Sequence, residues 1–293
     1  MRTTLTVVPL ALALGCGCGH GPSNVSFMSN EQPSSQGAPN TALARSQGHV
    51  ENPNGGAVAD LGEDEQVEPE HPAAETKQER ALVHIHAPEG RVCSGVVLGP
   101  KLIATAQRCL KGLERGVNVL GAGADKELRV EVASSTLTWT NRKGRYVVLP
   151  QCDESELDVG IIVLDDVVPP LASPLRIVSA PDTGGRVQAL GFGRCKGSSK
   201  VMKERTGLVR FRDSQTVTID VTLCKGDRGG PVVDGRDAEV IGLISHRDDP
   251  EGSPNHTATI ARLDTVSALR LKEQAQLLAE GGDTAKVQAV ACR

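Results

Sequence analysis

From residue 81 to the C-terminus the chain is written in short apolar runs, rich in β-branched residues and broken by glycine or polar turns. That punctuation constrains the fold more than any other feature. Val217, Ile219 and Val221 alternate with polar residues, the period of a strand with one buried face. Val240-Ile241-Gly242-Leu243-Ile244 is a run of strand length, and Val232-Val233-Asp234-Gly235 leads toward it with an Asp-Gly hairpin signal. Breaks fall at Gly121 to Gly123, Gly184-Gly185 and Gly197. One segment, about residues 265–280, reads as a helix. Asp264 would cap it, Val266, Leu269, Leu277 and Leu278 would supply its apolar face, and Gly281-Gly282 would end it. Many short strands and one terminal helix predict an all-β barrel or sandwich.

Before residue 81 the composition is different. Residues 17–80 carry 10 acidic and 3 basic side chains and few large apolar ones. Such a segment cannot bury enough apolar surface to offset its ordering entropy. It is expected to be a disordered acidic linker, with the run from Glu63 to Glu70 keeping it extended. Residues 81–293 carry 28 basic and 26 acidic side chains, so the folded part is close to neutral. That balance gives no footprint for nucleic acid, and no apolar run reaches the roughly 18 residues of a membrane span.

The first sixteen residues read as a signal peptide. Arg2 gives a positive start, and Leu5 to Leu14 is mostly apolar and too short to cross a bilayer. The end, Ala13-Leu14-Gly15-Cys16, resembles a bacterial lipoprotein signal, in which the Cys is lipidated and becomes the mature N-terminus. Cys18 competes with Cys16 for that role, and ordinary secretion after cleavage is the other reading. The resemblance implies export to the cell envelope, with an outer-membrane lipid anchor facing the periplasm or the surface.

Six further cysteines, Cys93, Cys109, Cys152, Cys195, Cys224 and Cys292, suit an exported, disulfide-bonded domain. They contain no C-x-x-C pair and the histidines are scattered, so no metal ligand set and no cofactor are expected.

Three segments together resemble the trypsin-like serine peptidases, in that family's order. The first is Val92-Cys93-Ser94-Gly95-Val96-Val97-Leu98, leading to Ile103-Ala104-Thr105-Ala106-Gln107-Arg108-Cys109. The second is Leu157-Asp158-Val159-Gly160-Ile161-Ile162-Val163-Leu164, and the third is Cys224-Lys225-Gly226-Asp227-Arg228-Gly229-Gly230-Pro231. Leu190-Gly191-Phe192-Gly193 and Ile241-Gly242-Leu243-Ile244-Ser245 echo two more of the family's strands. The resemblance implies two six-stranded antiparallel β-barrels, about residues 81–175 and 181–263, with the active site in the seam and a C-terminal helix. It also implies a Cys93–Cys109 disulfide; Cys195–Cys224 and Cys152–Cys292 are the pairings expected for the others.

By the same correspondence Asp158 is the retained catalytic acid, while Arg108 stands at the His position and Arg228 at the Ser position. A guanidinium stays protonated near neutral pH, so it is neither a general base nor an acyl-forming nucleophile. The scaffold residues remain: Gly226 and Arg228 at the oxyanion hole through their backbone N–H groups, and Thr222, Ser245 and His246 around the specificity pocket. Asp227 matches the Asp that receives a freed N-terminus in activated relatives, but no Ile/Val-Val-Gly-Gly start lies upstream of residue 81. The implied protein is an inactive homologue that binds a peptide or protein in the old cleft. The alternative is an active endopeptidase with an unrecognised nucleophile and base, for which His246 beside Ser245 is the nearest base. Arg108 is expected to pair with Asp158, and Arg228 either to plug the cleft or to hold an anion.

Overall fold

The computed structural model describes residues 73–87, 90–121, 127–193, 203–235, 239–247 and 256–292. Cys16, Cys18, Cys195 and most of the expected linker lie outside them. The described residues fold into two closed antiparallel barrels with one C-terminal helix, as the resemblance implied.

The first barrel is built from β1 (Leu82–Ala87), β2 (Arg91–Gly99), β3 (Leu102–Thr105), β4 (Gly116–Val119), β5 (Arg129–Ala133), β6 (Trp139–Leu149) and β7 (Gly160–Leu164). The ring runs β6-β5-β1-β2-β3-β7 and closes where β6 pairs β7; β4 lies along the later half of β6. Strand β6 can serve three neighbours because it is long, giving residues 139–143 to β5 and residues 146–149 to β4. The second barrel orders β8 (Arg186–Gly191), β9 (Lys203–Arg212), β10 (Thr216–Asp220), β11 (Pro231–Asp234), β12 (Glu239–Arg247) and β13 (Thr257–Arg262) as β10-β13-β12-β11-β8-β9. With five aromatic residues in the whole chain, both interiors are filled by Val, Ile, Leu and Ala. Examples are Ile85, Val96, Ile103 and Ile162 in one barrel and Val187, Val217, Ile219, Ile241 and Ile260 in the other.

Order begins earlier than the composition boundary at residue 80. A short helix, α1 (Lys77–Ala81), opens with a complete capping box: Thr76 Oγ accepts from Glu79 N and the Glu79 carboxylate accepts from Thr76 N. Two orphan N–H groups are thereby satisfied. Ala74 is fully buried and its N–H donates to Thr136 O at 2.8 Å.

The terminal helix α2 (Val266–Ala279) lies where expected, but its cap and buried face differ from the sequence reading. Thr265 is the N-cap, its hydroxyl accepting from Ala268 N. Asp264 is drawn away to Arg262, whose Nε and NH2 donate at 2.9 and 2.7 Å, and to Ser179, whose hydroxyl donates at 2.7 Å. Ala268, Leu271, Ala275 and Leu278 form the buried stripe, spaced by three and four residues, while Val266, Leu269 and Leu277 are exposed. The helix packs against β3, β6 and β7 of the first barrel. Beyond it, Gln151 N–H donates to Val290 O and a Cys152–Cys292 disulfide ties the tail to the end of β6.

Burial raises the Asp264 carboxyl, but the two Arg262 hydrogen bonds, the Ser179 hydroxyl and the Arg262 charge carry it below its ordinary value. A depressed acid contributes stability above its unfolded pKa of about 3.9, and this is lost as pH falls through the folded value. Asp264→Asn is therefore expected to cost about 1 kcal/mol at pH 7, with the difference from the parent shrinking below about pH 4 in urea unfolding. A pH-independent difference would contradict this.

Candidate functional site

The seam is assembled from one loop and two strand ends. The loop of residues 224–230 leaves the second barrel, reaches the first, and returns as β11. Gly226 and Gly229 take φ of 107° and 81°, conformations that side chains other than glycine's rarely allow. A Cβ on Gly229 would strike Thr105 Oγ1 and the Ser94 carbonyl, and one on Gly230 would strike the Leu190 carbonyl. These glycines are required by close packing of the loop on β2, β3 and β8.

Ser94, fully buried on β2, is the main clasp between barrels. Its N–H donates to Arg228 O at 2.8 Å and its hydroxyl donates to Gly226 O at 2.8 Å. The same hydroxyl accepts from Phe192 N at 3.0 Å. Gly229 N–H donates to Ile244 O on β12, so the loop is held from both sides.

Beneath the loop, Asp227 has no exposed surface. Its carboxylate accepts from Gly193 N at 2.7 Å, from Cys224 N at 2.7 Å and from Arg205 NH1 at 2.6 Å. Burial pushes this carboxyl up, and the Arg205 charge and the two backbone N–H groups oppose the push. Arg205 comes from β9, brought there by its pairing with Ala189 of β8. It supplies the positive partner that the missing N-terminal start left open, and sequence reasoning did not find it. Gly191 and Gly193 make room, since a Cβ on either would run into Asp227.

Asp158, with a side chain 2% exposed, sits just before β7. Its Oδ1 accepts from Arg108 N at 2.9 Å and its Oδ2 accepts from the Ser245 hydroxyl at 2.6 Å. Arg108 lies in the 3-10 turn Gln107–Leu110, one turn past β3, and its Nε is 3.5 Å from Asp158 Oδ2. That is an ion pair and too long for a hydrogen bond; the NH2 group donates to Glu154 O at 3.4 Å. Burial raises the Asp158 carboxyl above its ordinary value, against the Ser245 hydroxyl, the Arg108 N–H and the Arg108 and Arg228 charges.

Ser245 spends its one proton on Asp158, so the 3.1 Å contact between its oxygen and His246 Nδ1 needs Nδ1–H as the donor. Arg228 is exposed at the loop tip, and its Nε donates to Ser245 O at 2.8 Å. It neither pairs with Asp227, which Arg205 holds, nor enters the barrel.

Arg108, Glu154, Asp158, Ser245 and His246 line a cleft of about 220 Å³. Thr222, expected on the floor of the specificity pocket, is exposed and lies outside this lining. Cys93 and Cys109 are disulfide-bonded, with Cα atoms 6.1 Å apart, which fixes the turn carrying Arg108. Cys224 is disulfide-bonded.

The Trypsin family model matches residues 70–269. No curated protein sequence matches the chain. Among solved structures, the Rv3671c protease in its inactive form is similar at 20% identity with a TM-score of 0.48, over 67% of this chain and 89% of that one. The active form of the Rv3671c protease from M. tuberculosis is similar at 19% identity with a TM-score of 0.46, over 73% of this chain and 86% of that one.

The two ion pairs should respond differently to truncation. Arg205→Ala leaves Asp227 buried without its cation and is expected to cost about 3–5 kcal/mol in chemical unfolding, a loss that Asp227→Asn in the same chain partly restores. Arg108→Ala, which leaves Asp158 its two hydrogen bonds, is expected to cost about 1 kcal/mol or somewhat more. Equal effects would contradict the ranking.

Proposed function

The chain belongs to the trypsin family, and from that premise we propose that it is a catalytically inactive homologue, anchored at the cell envelope, that binds a peptide or protein in the former substrate cleft. One observation carries the reading. Arg108 and Arg228 stand where the family has its base and its nucleophile, while Asp158, Ser245 and the loop from Gly226 to Pro231 keep their supporting contacts. Acyl transfer needs a hydroxyl or thiol whose proton is taken as it attacks. Neither guanidinium meets that need. Ser245 is no substitute nucleophile, because it is 3% exposed and its proton is committed to Asp158. His246 could accept a proton at Nε2, but a base without a nucleophile is idle.

The arginines also change what the cleft presents. Active relatives offer a neutral His and Ser there; this chain offers two guanidinium groups around one carboxylate. Arg108 is engaged by Asp158 and Glu154, so Arg228 at the loop tip is the charge a ligand meets first. A ligand with an acidic group facing Arg228 fits this arrangement. Anchoring rests on the lipoprotein-type signal at Cys16; with it, the ligand is met outside the cytoplasm. Ordinary secretion would change the place and leave the cleft chemistry unaltered.

Purified protein incubated with a broad fluorogenic peptide panel is expected to leave every peptide intact. The double variant R108H/R228S restores base and nucleophile to a scaffold still holding Asp158, and hydrolysis is expected to become measurable in it. Turnover by the parent protein would overturn the inactive reading. An inert double variant that keeps the parent's unfolding midpoint would show that the scaffold has drifted further than the contacts around Asp158 indicate.

A further inference from the structure

Outside the cleft, the outer face of the first barrel gathers a second set of chemically active side chains. His84 and His86 project from the same face of β1, two residues apart. Glu131 on β5 is the register partner of His84. The three are mostly covered, their side chains 16%, 35% and 15% exposed in that order. His84 Nδ1 lies 2.7 Å from one carboxylate oxygen of Glu131, and His86 Nε2 lies 3.1 Å from the other.

Their orientation is more telling than their proximity. His86 Nε2 is buried and makes no hydrogen bond, although a carboxylate oxygen is within reach. The distance suits a hydrogen bond and the direction does not. A buried ring nitrogen left in that state costs free energy. One ligand atom from each of the three side chains lies within 4.8 Å of the others. Around a tetrahedral zinc with bonds of about 2.0–2.1 Å, neighbouring ligand atoms stand about 3.3 Å apart.

The surroundings suit such a site. Phe192 of the second barrel packs on His84 with ring centroids 5.0 Å apart, and Trp139 meets Phe192 edge to face at 5.4 Å. The two imidazoles sit at 4.5 Å, edge to face. Aromatic walls limit water and fix the ring planes, while the greater exposure of His86 leaves a way in.

We propose that His84, His86 and Glu131 form a binding site for a divalent transition metal of the zinc class. Two imidazole nitrogens and one carboxylate supply three ligands, leaving a fourth position for water or an incoming group. The scattered histidines gave no such pattern in sequence because the third ligand arrives from β5, 47 residues beyond His84. The site lies against Phe192, whose neighbour Gly193 donates to Asp227, so a bound ion would brace the barrel seam from outside.

The test uses the purified full chain without an affinity tag, stripped with EDTA. Zn²⁺ is titrated by calorimetry and Co²⁺ by visible absorption. One equivalent is expected to bind, with the intense visible bands of a four-coordinate cobalt site and a higher thermal midpoint. His86→Asn and Glu131→Gln are each expected to weaken binding at least 100-fold, while His256→Asn leaves it unchanged. Near-UV spectra and thermal midpoints of the metal-free variants separate a lost ligand from a lost fold. Should Glu131→Gln not fold, the more exposed His86→Asn decides the matter. Failure of the parent to bind either ion, or binding that survives His86→Asn, would overturn the site.

Discussion

Asp227 is a carboxylate with no exposed surface at the meeting point of three elements, and the seam of the molecule is arranged around satisfying it. Two backbone N–H groups and the Arg205 guanidinium do so. Gly191 and Gly193 are shaped to it, and the loop carrying Gly226 and Arg228 turns over it. An unpaired charge at such a depth would cost several kcal/mol, so loop, β8 and β9 are constrained together. Here the cation comes from within the second barrel, from Arg205 of β9.

A second carboxylate, Asp158, is held in a different way. The Ser245 hydroxyl and the Arg108 backbone N–H hold it as a positioning acid would be held. The Arg108 side chain sits beside it without donating a hydrogen bond, a looser arrangement than that around Asp227. The pairing compensates a buried charge and offers no base. The Arg228 Nε donates to Ser245 O, and the residue is exposed at the loop tip.

Much of the fold was legible in the sequence because the family's blocks are places where packing leaves little choice of residue. Gly229 and Gly230 must be bare against Ser94, Thr105 and Leu190, and Cys93 and Cys109 brace the turn beside them. What was not legible depends on pairings remote in sequence. Arg205 is one basic residue among many until the β8–β9 register sets it opposite Ala189 and over Asp227. The cluster of His84, His86 and Glu131 exists only through the β1–β5 pairing. Of the apolar face expected for α2, Leu278 is buried and the other three positions are exposed. Val266, Leu269 and Leu277 are larger than the two alanines of the true stripe, yet the alanines let the helix approach the barrel closely. The short helix ahead of residue 81 was not legible because Ala74 and the Thr76–Glu79 capping box are small local signals inside a strongly acidic stretch.

The central claim is that this seam no longer contains an activated nucleophile. Intact-mass spectrometry after exposure to excess fluorophosphonate tests it without knowledge of substrate or ligand, since the probe reports any serine poised to attack. The account predicts an unmodified mass for the parent chain. A single adduct per chain, mapped to a serine in the cleft and lost on unfolding, would contradict it.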